Sequence, residues 1–254
     1  NYSGIEIQIE SGAGSAGTYF NDVTFSGNST YRFPYYGSND VTVSGDLTMS
    51  GTPDIKQWRR DLIVTGNVTI GDGCVYDCEG SGVAGVSSDF TAGSLTIASG
   101  GTFKASSGTT TITAKRADTE SAWGNSGTFT HNNGRVKFTD NAHVYCQESN
   151  FYDLEVAMDT SSLEFRWYDS SGSIVNIYGN LIMTSGRFKF NTAGDAIKVH
   201  GNTSMTSSAQ FGKGSPSGTH TFEGLVTVNG GTWFMSSGTN NFNSGIRNVG
   251  GTLS

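Results

Sequence analysis

Proline is nearly missing from this chain: Pro34, Pro53 and Pro216 are the only three in 254 residues, so little interrupts the backbone. Charge is scarce as well. Asp, Glu, Lys and Arg make up 15% of the chain, which excludes the charge-driven kind of disorder. Apolar residues reach 35%, low for a globular domain. No stretch carries Ala, Leu, Glu and Lys at a 3.6-residue period, so almost no helix is expected. No run approaches the roughly 18 apolar residues of a spanning helix, so no membrane span is expected. The net charge is −7. A phosphate backbone calls for clustered Lys and Arg, so nucleic acid is not an expected partner. The one basic knot, "IKQWRRD" at 55–61, is short and isolated and reads as a solvated loop. Cysteine is limited to Cys74, Cys78 and Cys146. With no paired His or second Cys pair nearby, zinc is not expected. Cys74 and Cys78, in "CVYDC", are a candidate local disulfide, which would fit an extracellular setting.

Gly, Ser, Thr and Asn take up the space left by these absences, with 11% aromatics and many β-branched residues. That is the composition of an ordered sheet protein. The chain also repeats itself. "FSGNSTY" at 25–31, "VSGDLTM" at 43–49, "VTGNVTI" at 64–70, "IYGNLIM" at 177–183, "VHGNTSM" at 199–205 and "VNGGTWF" at 228–234 share one pattern. Periods of 20–50 residues mark solenoids, propellers or arrays. Within a copy, Val41, Val43, Leu47 and Met49 alternate with Thr42, Ser44 and Thr48, the period of a strand with one apolar face. Each copy breaks at Gly followed by Asn, Asp or Gly, the residue types that accept positive φ. Each copy therefore reads as strand, sharp corner, strand.

A hairpin array or propeller would use Gly-Asn as a two-residue turn between antiparallel strands. A propeller blade needs about 40–50 residues, however, and the phrase returns at about half that interval. The inward positions Val43, Val64, Ile177, Val199 and Val228 also keep one character, as stacked coils require. The expected fold is all-β, a right-handed parallel β-helix with about 20-residue coils. Residues 21–254 would form the solenoid and 1–20 an N-terminal assembly segment. Roughly a dozen coils at about 4.8 Å each would make a rod on the order of 55 Å long. Outward Thr and Ser would form hydroxyl ladders, and the corner Asn residues would stack likewise.

The stretch "SGTFTHNNGRVKFTDNAHVYCQESNFYDLEV" at 126–156 resembles a segment of large bacterial surface and secreted β-strand-repeat proteins and of phage fibre-like proteins. "GTFTHNNG" is intact, and "NFYDLEV" has Asp153 where Asn is usual. "GNLIMTSGRF" at 179–188 is similar in style, and the resemblance covers about half of the chain. It implies a structural protein of the extracellular space, cell surface or virion, and it carries no catalytic residues with it.

Sites for chemistry are hard to find. His131, His143, His200 and His220 lie in different copies with no H-x-x-x-H spacing, and no G-x-S-x-G elbow marks a nucleophile. No catalytic, metal or cofactor residues are expected, and the chain is not expected to be an enzyme. Asp72, Asp77 and Glu79 in "GDGCVYDCEG" share a Gly-rich loop, which reads as a disulfide-closed loop rather than a calcium site. Asn28, Asn67 and Asn202 head N-x-S/T sequons, but the corner slot accounts for these Asn residues without a glycan. An ice-binding face would need regular Thr rows, which Lys104, Lys115, Arg135 and Lys137 interrupt. The best candidate for glycan contact is "LEFRWYDSS", where Glu164 and Arg166 share a strand face beside Trp167 and Asp169. The plainer reading of that group is a cross-strand ion pair.

The function expected is a structural subunit of an extracellular filament, surface layer or virion fibre whose partner is itself. The alternative is a carbohydrate-binding adhesin using loop aromatics such as Trp58, Trp123, Trp167 or Tyr168, or a glycan-cleaving β-helix. The chain opens at Asn1 without Met and stops at "VGGTLS" in mid-repeat, as expected of a mature or proteolysed piece, or part of something longer. In "NYSGIEIQIESG", Ile5, Ile7 and Ile9 alternate with Glu6, Gln8 and Glu10, a strand expected to dock on a neighbouring subunit.

Overall fold

The computed structural model describes residues 4–6, 18–33, 40–58, 60–80, 88–113, 121–140, 142–146, 150–168, 173–190, 192, 194–212 and 217–254. Their regular elements are all β-strands, paired in parallel. The expected fold class, an all-β parallel β-helix, is the one observed. The chain divides into two compact units, residues 1–114 with 124–134, and residues 115–123 with 135–254.

In the first unit one sheet runs in the order Gly4–Glu6, Thr30–Arg32, Asp54–Lys56, Val75–Asp77, Thr102–Lys104, Thr128–Thr130. Each strand is the next one's counterpart a coil later. Two further strips complete each coil. Val41–Val43 and Leu47–Gly51 lie over the two halves of Leu62–Ile70, which in turn pairs with Phe90–Ile97. Alternation places like over like inside: Val43, Val64 and Ala92 form one column, and Leu47, Val68 and Leu95 another, all fully buried. Outside, Thr24, Thr48, Thr69 and Thr96 stand in register as the expected hydroxyl column.

The second unit has a sheet of Ile174–Ile177, Ala196–Val199, His220–Phe222 and Asn240–Phe242. Its interior is held by a spine of rings. Phe138 lies 5.0 Å from Phe165, Phe165 4.8 Å from Phe188, Phe188 5.4 Å from Phe211, and Phe211 4.3 Å from Trp233. Each such pair contributes about 0.5–1.5 kcal/mol beyond its area burial.

Coils are longer than about 20 residues. Residues bonded at one corner are separated by 24, 21 and 27 positions in the first unit. In the second unit the separations are 27, 22 and 23. Extra residues sit between strands, where lengthening a loop costs little.

The corners are bonded level to level. The Asp22 carboxylate accepts from the Asp46 N–H at 2.8 Å, and Asp46 accepts from the Asn67 N–H at 2.7 Å. In the second unit Asp153 accepts from the Asn180 N–H, Asn180 from the Asn202 N–H, and Asn202 from the Leu225 N–H, at 2.7, 3.0 and 3.0 Å. This is the expected corner ladder, with three corrections. First, "FSGNSTY" is out of phase: Phe25 pairs with Met49 and Gly27 with Gly51, so Asn28 lies a strand beyond the slot of Asp46. Second, "VNGGTWF" is also out of phase. Val228 pairs with Met205, and the corner of that coil is Gly224 rather than Gly230. Third, Gly45, Gly66, Gly179 and Gly201 are not among the residues with positive φ. Their reason is close approach: a Cβ on Gly66 would sit 2.5 Å from the Gly45 carbonyl oxygen.

Candidate functional site

In the second unit the residue just ahead of each corner points outward, because the residue before it points in. Ile177, Val199 and Phe222 are fully buried, so Tyr178, His200 and Glu223 face solvent on successive coils. The backbone fixes their alignment: Tyr178 N–H donates to Phe151 O, His200 N–H to Ile177 O and Glu223 N–H to Val199 O, each at 2.9 Å. Half-buried Tyr152 begins this column, and Asn243 ends it. The Tyr178 and His200 rings stack at 5.3 Å with 19° between planes, and Tyr178 remains 46% exposed. His200 Nδ1 lies 2.8 Å from one Glu223 oxygen, and Lys198 Nζ 3.0 Å from the other. The hydrogen bond from Lys198, helped by His200, holds the Glu223 carboxyl below its ordinary range.

A second outward column runs beside the first. Asn176, Lys198, Thr221 and Asn241 pair in register. Asn176 Nδ2 donates to Asn150 Oδ1 at 3.1 Å. The face thus combines an exposed ring, an ammonium, an imidazole, a carboxylate, amides and a hydroxyl. Glu223 is the single carboxylate in these two columns, whereas hydrolysis of a glycosidic bond ordinarily takes two. The arrangement suits binding. Among the described residues no group of three or more His, Cys, Asp or Glu is placed to hold a metal ion.

The sequence contains a signal for this column. "FYDL", "IYGN", "VHGN" and "FEGL" place Tyr152, Tyr178, His200 and Glu223 one step before each corner. Searching for histidine spacing alone missed it, because the column mixes residue types.

The candidate glycan contacts of 164–169 divide. Glu164 and Arg166 lie on one outward strand face and form an ion pair. Arg187 Nη1 and Lys189 Nζ approach Glu164 from the next coil at 3.7 and 3.8 Å. Burial raises the Glu164 carboxyl, but the Arg166 hydrogen bond and the three cations together bring it below its ordinary value. Glu155 is likewise held by Arg135 at 2.9 Å and Lys137 at 3.1 Å. Arg187 and Lys189 with Glu164, and Arg135 and Lys137 with Glu155, are cross-strand ion pairs, whereas Arg166 pairs with Glu164 within one strand. Trp167 is a correction: strand alternation turns it inward, where it is 1% exposed and its Nε1 reaches Ser173 Oγ at 3.4 Å, so it offers no surface to a sugar. Asp169 and the Tyr168 side chain lie outside the described residues. Trp123 is fully buried, and Trp58 is half-buried with Arg32 lying 4.8 Å over its ring.

The expected local disulfide is also corrected. Cys74 and Cys78 are both free, buried thiols flanking the strand Val75–Asp77. Four residues of near-extended chain span about 13 Å, well beyond the roughly 7 Å limit between bridged Cα atoms. Cys74 Sγ instead donates to Gly51 O at 3.4 Å. Burial, the largest cause, raises both thiols above their ordinary values. In the same loop Asp77 pairs with Lys104 at 3.1 Å, and Glu79 accepts from the Ser107 N–H at 2.6 Å. Cys146 and His143 lie on the strand Ala142–Cys146. Of the proposed assembly strand, Ile5 lies on Gly4–Glu6, which pairs with Thr30–Arg32 of its own chain; Ile7 and Ile9 lie outside the described residues.

No family model, curated protein or solved structure matches the chain.

Proposed function

We propose that this chain is a structural subunit of an extracellular filament, surface layer or virion fibre, assembling by strand addition or by end-to-end stacking of coils. The observation that carries the reading is the level-to-level bonding within each unit. Backbone pairs, corner Asx side chains and interior rings all repeat in register, an arrangement that stiffens a body along its stacking direction. The outward charges support it, since Glu155 and Glu164 are engaged by cations from their own and neighbouring strands.

The test is negative-stain electron microscopy with analytical ultracentrifugation over a concentration series. Polymers or oligomers with a regular axial repeat are expected. A chain that stays monomeric at the highest attainable concentration would overturn the assembly reading.

A further inference from the structure

We propose that the outward face of the sheet formed by Ile174–Ile177, Ala196–Val199 and His220–Phe222 binds an uncharged polysaccharide chain lying along the stack of coils. This goes beyond the structural role and stands independently of it. The residues that carry the inference are Tyr178, His200 and Glu223 in one column, and Asn176, Lys198 and Thr221 in the next.

The chemistry of the face selects the occupant. A polyanion such as nucleic acid needs clustered cations, and this face sets one lysine against one glutamate at 3.0 Å. An apolar protein surface needs a contiguous apolar patch, whereas here Tyr178 and Ile174 are the large apolar side chains left exposed. A peptide strand adds at the edge of a sheet rather than across its face. A chain rich in hydroxyls matches what is present. Tyr178 is a rigid, amphipathic ring stacked on His200; its exposed part and phenolic hydroxyl give a pyranose an apolar edge and a hydrogen-bonding group. Glu223 is held in place from two sides and ionised, an acceptor for paired hydroxyls. Lys198, Asn176 and Thr221 add donors and acceptors one coil apart. Sites of this kind place a few polar groups around aromatic surface.

Geometry adds direction. Coils succeed one another at about 4.8 Å, close to the length of one pyranose unit. Outward hydrogen-bonding groups on successive coils, though different in type, can therefore meet successive sugar residues of a linear chain. The two columns run along the stack, so the bound chain runs the same way. With one carboxylate on the face, the ligand is held and not cut.

The experiment is affinity electrophoresis of the full chain in native gels cast with soluble mixed-linkage β-glucan, xylan, galactomannan or glycol chitin, and with heparin as the polyanion probe. Retardation by at least one of the neutral polymers is expected, with none by heparin. Tyr178→Ala is expected to weaken the affinity at least tenfold, and Glu223→Gln about threefold to tenfold. Thr48→Ala, on the outside of the other unit, should leave it unchanged. Both site variants alter solvent-facing side chains, and an unchanged melting temperature verifies folding. If Tyr178→Ala fails to fold, Glu223→Gln alone decides. Absence of retardation in every neutral gel overturns the proposal, as does stronger retardation by heparin, or wild-type affinity in the deciding variant. Assembly seen by electron microscopy is expected to be the same in Tyr178→Ala and wild type, so the two readings fail separately.

Discussion

Gly66→Ala separates two reasons for a glycine at the corner. The wild-type corner leaves no room: a Cβ at 66 would lie 2.5 Å from the Gly45 carbonyl oxygen, whereas ordinary contact begins at 3.4 Å. The Asp46 carboxylate, 2.2 Å from the same Cβ, would have to turn away from the Asn67 N–H, and the carbonyl is backbone, so its shortfall of 0.9 Å has to be met by parting two coils. That stretches the Gly66 N–H bond to Gly45 O, now 3.0 Å, and the Asn67 N–H bond to Asp46, now 2.7 Å. Losing both costs about 1–3 kcal/mol, and overpacking adds about 1–3 kcal/mol. A total of about 4 kcal/mol corresponds to a fall of roughly 8–16 °C in melting temperature for a chain of this size. Gly27→Ala is the control. Gly27 has φ +95° but nothing within 4 Å of an added Cβ, so it carries only the left-handed backbone cost, about 1–2 kcal/mol. Circular dichroism melts of the two variants should rank Gly66→Ala as the more damaging. A Gly66→Ala melt within a degree of wild type, or the reverse ranking, would refute the close-approach argument.

Three further outcomes are expected. His220 is fully buried against Phe190 at 4.9 Å, accepts from the Ile197 N–H at 3.3 Å, and is lowered by burial to about 4. Its neutral form is favoured on folding, so stability is full above about pH 6.5 and declines by up to roughly 3 kcal/mol as pH falls toward 4, where the folded state also takes up the proton. Urea titrations across that window should show the decline in wild type and a flatter curve in His220→Phe; equal slopes would exclude His220 as the cause. Phe188→Ala removes a ring that touches Phe165, Phe190 and Phe211 at 4.8–5.4 Å, and denaturant unfolding should show a loss of about 3–5 kcal/mol; under 1 kcal/mol would contradict the ring spine. Asp61 accepts from the Asp89 N–H at 2.7 Å, and its carboxyl is raised chiefly by burial, with Asp40 and Asp89 adding repulsion. Asp61→Asn keeps the acceptor and removes the charge, so melts at neutral pH should show a gain of a few tenths of a kcal/mol that vanishes in acid, where wild-type Asp61 is itself protonated. A loss at neutral pH would count against this.

Local pattern alone determined a great deal about this protein. Period-2 alternation in "DVTVSGDLTM", with no helical period anywhere, marked strands with one buried face. The return of the same phrase at too short an interval for a propeller blade marked parallel coils, and the Gly-Asx pairs marked the corners. These are properties of consecutive residues, and side-chain direction in a strand follows from neighbours. Which copy lies over which was left to the tertiary structure. A shift of one residue reverses every side chain, and connecting loops can lengthen at small cost, so spacing along the chain does not dictate register. For that reason "VNGGTWF" and "FSGNSTY", alike in letters, fall outside the corner slot, while Gly224, in the unlike "FEGLV", falls within it. Register also put Trp167 inside, held Cys74 and Cys78 apart along a strand, and gave the corner glycines their reason, which is the closeness of the coil beneath. Above all it made the candidate binding face. Tyr178, His200 and Glu223 are 22 and 23 residues apart in sequence, and become neighbours only when three coils stack.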